Sequence, residues 1–190
     1  MTKAELRKRE LEKRKALSDE ELMASSKVLF DQLLAHFRFD GSSCIHVFLP
    51  ISQQKELDTY YFIECLRKRH PSVKIVVPVS DFKTKAMKSA LLSEQTVVMP
   101  NRYNIPEPVN PIFVNDDEIT HVITPLLAID GKGNRVGYGG GFYDRFFERL
   151  NSEVVKIGVL LSDQYSELDL GEDHDIPLDY FVNLSGFFKL

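Results

Sequence analysis

The spacing of apolar residues changes character several times along the chain. Thr2 with Glu5, and Ser18 with Glu21, each match the pair in which two side chains satisfy the free amides at a helix start. They predict a charged helix over 3–15 and a second helix over 19–38. In the second, Leu22, Ser26, Leu29, Leu33 and Phe37 share one face. Residues 44–49, CIHVFL, form a short continuous apolar run after Gly41, the mark of a buried strand. A polar loop over 50–55 leads to a helix over 58–69, with Tyr61, Cys65 and Leu66 turned inward and Asp58 or Thr59 as its cap. Residues 73–79 read as a second buried strand. The proline-bearing stretch that follows, to 111, reads as short strands and loops. Strands are expected at 121–127, 154–161 and 180–184, with a glycine-rich loop and a helix over 141–150 between the first two.

Strands alternating with helices define an α/β fold: an open, mostly parallel sheet with helices on both faces, in three layers and Rossmann-like. Ligands of such sheets sit beyond the carboxyl ends of the strands, which directs attention to residues 50–56, 128–141 and 162–179. A chain of 190 residues suits a single domain over 1–190 that buries its core without disulfides. No internal repeat or low-complexity linker interrupts it.

Charge and cysteine content narrow the function. The net charge of −4 gives no basic field for nucleic acid. Cys44 and Cys65 lack the CxxC spacing and both sit in apolar stretches, so buried free thiols in a reducing compartment are expected. The first residues, MTKAELRKRELEKRK, hold no apolar signal core, and no apolar run approaches the about 20 residues that span a bilayer. These features predict a cytoplasmic protein without a membrane partner. The absence of heptads points to a monomer.

The most informative stretch is 130–145, DGKGNRVGYGGGFYDR, in which six glycines precede a helix start. Glycine lets backbone amides approach a ligand closely, and amides at a helix start favour phosphate. Arg135 adds a cation suited to paired oxygen contacts, and Asp144 a carboxylate able to hold Mg²⁺ together with nucleotide phosphates. This is not a GxxxxGK[ST] loop, and Gly137, Gly139 and Gly141 have the wrong last spacing for a dinucleotide fingerprint. Read from glycines alone, the stretch is equally a flexible loop before an amphipathic helix.

The combination N-R-x-G-x-G-x-G-F-Y-D-R over 134–145 resembles the signature of the 5-formyltetrahydrofolate cyclo-ligases. The similarity extends to Lys3 and Arg7 (K-x-x-x-R), to FLPISQQKELDT over 48–59, to YNIPEP over 103–108, and to the acidic stretch 172–179, which contains Asp173, His174 and Asp175. The resemblance implies ATP-dependent closure of 5-formyltetrahydrofolate, with or without a polyglutamate tail, to 5,10-methenyltetrahydrofolate with release of ADP and phosphate. It implies that Lys3 and Arg135 are catalytic. ATP would be bound by Lys3, Arg7, Arg135, Val136, Gly137, Tyr138, Gly139, Gly140, Gly141, Phe142 and Tyr143. The folate would be bound by Glu56, by Leu49 or Ile51, by Tyr103, and by Tyr138, Gly139, Gly140, Gly141 and Phe142. Mg²⁺ would be held by Asp144 and Asp175. A pterin fits Glu56 because its N–H groups can donate to a carboxylate. Arg14 lies on the same helix face as Lys3 and Arg7. A sugar-phosphate isomerase or CoA-transferase on a similar scaffold, or a non-catalytic folate or nucleotide binder, is the competing expectation.

Overall fold

The computed structural model describes residues 2–162, 169–172 and 175–190. Asp173 and His174 of the acidic stretch, and 163–168 of the loop before it, lie outside the described residues.

Both predicted capping pairs form. The Thr2 hydroxyl accepts from the Glu5 amide while Glu5 accepts from the Thr2 amide, starting α1 (Lys3–Lys15). Ser18 and Glu21 do the same for α2 (Asp19–His36). The second helix ends before Phe37, which turns to an extended conformation so that its ring packs edge-on against His121 and Tyr180. The chain then forms β1 (Cys44–Val47), α3 (Thr59–Arg69) capped by Asp58, β2 (Lys74–Asp81) and β3 (Ala86–Leu91). The stretch read as short strands and loops contributes β4 (Val98–Pro100) and β5 (Pro106–Pro108), and β6 (Phe113–Val114) follows it. After β7 (His121–Pro125) the glycine-rich segment itself holds a small hairpin, β8 (Ala128–Ile129) with β9 (Arg135–Val136), before α4 (Phe142–Phe147). Strands β10 (Val155–Val159), β11 (Tyr180–Asn183) and β12 (Gly186–Lys189) close the chain.

The main sheet has the order β12-β11-β10-β7-β1-β2-β3-β6. It is parallel from β11 to β2 and antiparallel at both edges. The edge strand β12 is absent from the sequence reading, because four residues carry too little alternation to register. What builds it is the Asn183 side chain, whose oxygen accepts from the Ser185 and Gly186 amides and closes the hairpin.

Alternate side chains of each strand enter opposite layers, as the pleat requires. Ile45, Val47, Ile75, Val77, Ile123, Ile157, Val159 and Val182 pack under α2 and α3, against Leu29, Phe30, Leu33, Phe62 and Leu66. On the other face Cys44, Val76, Val122 and Phe181 meet Phe146 and Phe147 of α4. Cys44 is buried as expected; Cys65 is only half-buried, because it sits at the margin of the α3 contact. No described helix is long and apolar enough to cross a membrane.

His46 points into the α4 layer from the middle of the sheet. It is wholly buried, its Nδ1 is 2.9 Å from Ser89 Oγ, and its ring lies 4.7 Å from that of Phe146. Burial pushes its pKa down to about 3. The folded protein therefore holds it neutral where the unfolded chain takes up a proton, below about pH 6.5. Its contribution is intact above that pH and is lost progressively as pH falls towards 3.

Two measurements follow from this packing. Phe62 is fully buried and stacks on Phe30 at 5.1 Å, so Phe62→Ala lowers the unfolding free energy by about 3–5 kcal/mol in urea titration. Between pH 7 and pH 5 the native protein loses about 2 kcal/mol more stability than His46→Leu, from the one proton that only the unfolded native chain binds; parallel pH dependences would contradict this.

Candidate active site

The loops after β1, β7 and β10 gather at the carboxyl ends of the parallel strands, where the sheet topology predicts a ligand. The first is fixed at its root, where the Thr59 hydroxyl donates to the Phe48 carbonyl (2.7 Å) and the Asp58 amide to Ser26 Oγ (2.8 Å). Between these anchors a short 3-10 turn, Ser52–Gln54, and Lys55 in the left-handed region swing Glu56 inward. Glu56 is 4% exposed. One carboxylate oxygen accepts from the Ile51 amide (2.7 Å), the other from the Tyr138 hydroxyl (2.6 Å). Burial raises its pKa; these two donors and the charge of Arg14 work against the rise.

The second loop is the glycine-rich segment, and Asp130 organises it. Its carboxylate accepts from the amides of Lys132 (2.8 Å), Asn134 (2.9 Å) and Leu170 (2.8 Å), and from the Asn134 side chain (2.9 Å). Burial would raise its pKa, and these hydrogen bonds lower it on balance. Gly133 has φ +85°, and a Cβ there would lie 2.8 Å from the Leu178 carbonyl oxygen, so a side chain would separate the two loops. Further on, Arg7 of α1 lies across the turn. Its Nε donates to the Gly137 carbonyl (2.8 Å), and its guanidinium occupies the space a side chain at Gly139 (φ +88°) would need, 3.3 Å from the Cβ position.

A charged set joins this loop to the third. Arg135, 9% exposed, forms an ion pair with Asp144 (2.5 Å), donates to the Ile176 carbonyl (2.6 Å) and lies over the Phe147 ring. Burial lowers its pKa, and the charges of Asp144 and Asp175 oppose the drop. Lys3 bridges to Asp175 (2.8 Å) and Glu172 (2.9 Å). Its burial lowers its pKa, but the hydrogen bonds it donates to Asp175 and Glu172 raise it on balance. Asp144 and Asp175 therefore flank Arg135, each facing a cation. Among the described residues no three His, Cys, Asp or Glu side chains surround one point. The two carboxylates nevertheless offer the hard oxygen donors that suit Mg²⁺, which keeps several waters and takes further oxygens from phosphates.

Lys3, Arg7, Glu56, the glycine loop, Arg135, Asp144 and Asp175 thus come together. Of the two apolar candidates, Leu49 is buried in the α2–α3 core, whereas Ile51 stands beside Glu56. Val136 is buried against Leu6 and leaves only its backbone to the site. Tyr103 is exposed and reaches the loop indirectly: its ring is 3.9 Å from that of Phe82, which lies 5.1 Å from Phe142. The Tyr143 hydroxyl is buried without a hydrogen-bond partner among the described residues.

Two residues central to this geometry escape the sequence reading. Asp130 stands at the head of the glycine-rich stretch, and no motif gave it a role. Arg14 left a signal, its place on the Lys3–Arg7 face, but no motif gave it a role. It is 7% exposed, donates to the Tyr138 hydroxyl, and lines a cleft of about 150 Å³ with Leu126, Leu160 and Leu161.

Known proteins resemble the chain along nearly its whole length. It is 29% identical to 5-formyltetrahydrofolate cyclo-ligase of Escherichia coli over 179 residues, covering 92% of this chain and 96% of that protein. It is 28% identical to the mouse protein of the same name over 176 residues, covering 87% and 85%. The solution structure of Aquifex aeolicus 5,10-methenyltetrahydrofolate synthetase superposes with a TM-score of 0.82 at 28% identity, covering 100% of this chain and 93% of that one. The family model for 5-formyltetrahydrofolate cyclo-ligases matches residues 1–183, and the chain belongs to that family.

Proposed function

We propose that this enzyme closes 5-formyltetrahydrofolate to 5,10-methenyltetrahydrofolate at the expense of ATP, with the nucleotide on the Lys3–Arg7–glycine-loop side of the site and the pterin on the Glu56 side. The observation that carries this reading is the convergence of two cations of α1 with a glycine loop tied directly, through Tyr138, to a buried carboxylate. Phosphate recognition and pterin recognition then share one wall. Family membership sets aside the sugar-phosphate isomerase and CoA-transferase readings.

The chemistry needs little covalent help from the protein. The formyl oxygen attacks the γ-phosphorus and ADP leaves; N10 attacks the formyl carbon, loses its proton, and phosphate departs as the ring closes. Alignment and charge neutralisation dominate such a transfer. Lys3 and Arg7 neutralise phosphate oxygens, and the amides of Gly137, Gly139, Gly140 and Gly141 line the same turn. Val136, Phe142 and Tyr143 hold the loop's shape at its two ends. Arg135 acts from beneath, keeping Asp144 and the 175–179 segment in place while adding positive potential. Asp144 and Asp175 would hold Mg²⁺, which supplies further neutralisation of phosphate charge when bound. Glu56 accepts from the pterin N–H groups, and Ile51 offers the adjacent apolar contact. The substrate pair enters by exchange, since Lys3 and Glu56 already have partners.

The native protein mixed with Mg·ATP and 5-formyltetrahydrofolate produces ADP and the near-ultraviolet absorbance of the methenyl product; formation of neither would sink this reading. Lys3→Ala raises KM for ATP about tenfold or more and leaves KM for the folate within about threefold. Arg135→Ala lowers kcat at least about a hundredfold and costs about 3 kcal/mol of stability, because Asp144 loses its buried partner; unchanged kcat would remove Arg135 from the site.

A further inference from the structure

Glu56 and Arg14 hold one oxygen atom between them. The Tyr138 hydroxyl donates to Glu56 at 2.6 Å and accepts from the Arg14 guanidinium, whose Cζ lies 5.4 Å from the centre of the same ring. Arg14 is 93% buried by its 7% exposure, an unusual place for a guanidinium that forms no ion pair among the described residues. Its Nε, also buried, has no hydrogen-bond partner among those residues. Such a donor is costly to leave unmade, so the arrangement has spare capacity for an acceptor. Glu10, Lys13 and Ser162 line the cleft beside Arg14 together with leucines, and Leu126 and Leu161 border both it and the narrow space shared by Arg14 and Glu56. A volume of about 150 Å³ is of the order that holds an aromatic ring. A mostly apolar recess with a few placed polar groups is the ordinary form of a small-molecule site.

The pattern around that oxygen has a chemical counterpart. The pyrimidinone edge of a pterin presents an N3–H donor directly beside the O4 acceptor. A carboxylate and a guanidinium that flank one hydroxyl, one accepting from it and the other donating to it, offer the complementary pair. Resting on the folate reading above, we propose that Arg14 is a substrate-binding residue that donates to the pterin O4 while Glu56 accepts from N3–H, and that the Tyr138 hydroxyl fills this position until the pterin displaces it. Tyr138 is free to leave: its ring is 39% exposed, and it stands between Gly137, around whose Cβ position there is open space, and Gly139. The departure of Tyr138 moves the same turn that Arg7 grips, so pterin entry and the phosphate side of the site are mechanically joined.

The test is a two-by-two comparison by calorimetry, in the presence of a non-hydrolysable ATP analogue and Mg²⁺. The ligands are 5-formyltetrahydrofolate and its 4-amino-4-deoxy counterpart, which replaces the O4 acceptor by a donor and leaves N3 without its hydrogen. Native protein prefers the 4-oxo compound by about ten- to hundredfold or more, the size expected for hydrogen bonds to charged groups. Arg14→Met lowers that preference by about threefold or more by weakening the 4-oxo compound alone, and the part that remains is the contact of Glu56 with N3–H. Equal weakening of both, or an unchanged preference, overturns the assignment and leaves Arg14 a support for Tyr138. If Arg14→Met fails to fold, Arg14→Lys carries the comparison: it keeps a donor without the fork and retains only part of the preference, and full retention counts against the proposal. Native protein that binds neither compound defeats the folate reading itself, and this assignment with it.

Discussion

The buried carboxylate of Asp130 fixes the path of the chain through the whole ligand-facing side of the molecule. Four donors converge on it, three of them backbone amides, and one of those amides comes from Leu170, 40 residues away. A charge placed in so little water is tolerable only because its lone pairs are filled. The same satisfaction that stabilises the charge closes the turn between β8 and β9 and ties it to the segment entering the last parallel strand. Everything beyond inherits this geometry: Gly133 against Leu178, Arg135 aimed between Asp144 and Ile176, and the glycines that Arg7 crosses.

Charge in the site is balanced before any ligand arrives. Lys3 faces Asp175 and Glu172, Arg135 faces Asp144, and Arg7 rests on a backbone carbonyl. On the proposed assignment, a polyanionic nucleotide would compete with internal acids for cations, and a divalent ion with internal cations for acids. Bringing the two together would resolve both competitions, with Asp144 and Asp175 holding the ion and Lys3 and Arg7 the phosphates. Such an exchange would favour the paired species over either alone.

The outline of this architecture was legible in the sequence where the signal was local. Both capping boxes, the apolar runs at 44–49 and 73–79, and the glycine segment announced themselves through periodicity and residue type. What escaped depended on partners far away in the chain. Strand β12 exists because Asn183 closes a turn and β11 offers an edge, not because four residues insist on being a strand. Arg14 shares the helix face of Lys3 and Arg7, but only the tertiary fold shows that it is buried beside Glu56. Asp130 acquires its role only through Leu170, 40 residues away. The choice between Leu49 and Ile51 likewise hinged on which side of one loop faces the core, a matter that apolar character alone does not settle.

Helix α1 buries Leu6, Glu10 and Arg14, so it docks with little apolar surface and mostly through charged groups. Its partners Gly137, Tyr138 and Asp175 lie 124 to 172 residues further along the chain. Helix α1 therefore completes its docking only once the segments that carry Gly137, Tyr138 and Asp175 are in place. Loop closure over such a span is entropically costly and is repaid only once the sheet is in place. Assembly of the sheet and the seating of α1 are thus separable steps of folding, and α1 can detach with little loss of apolar contact.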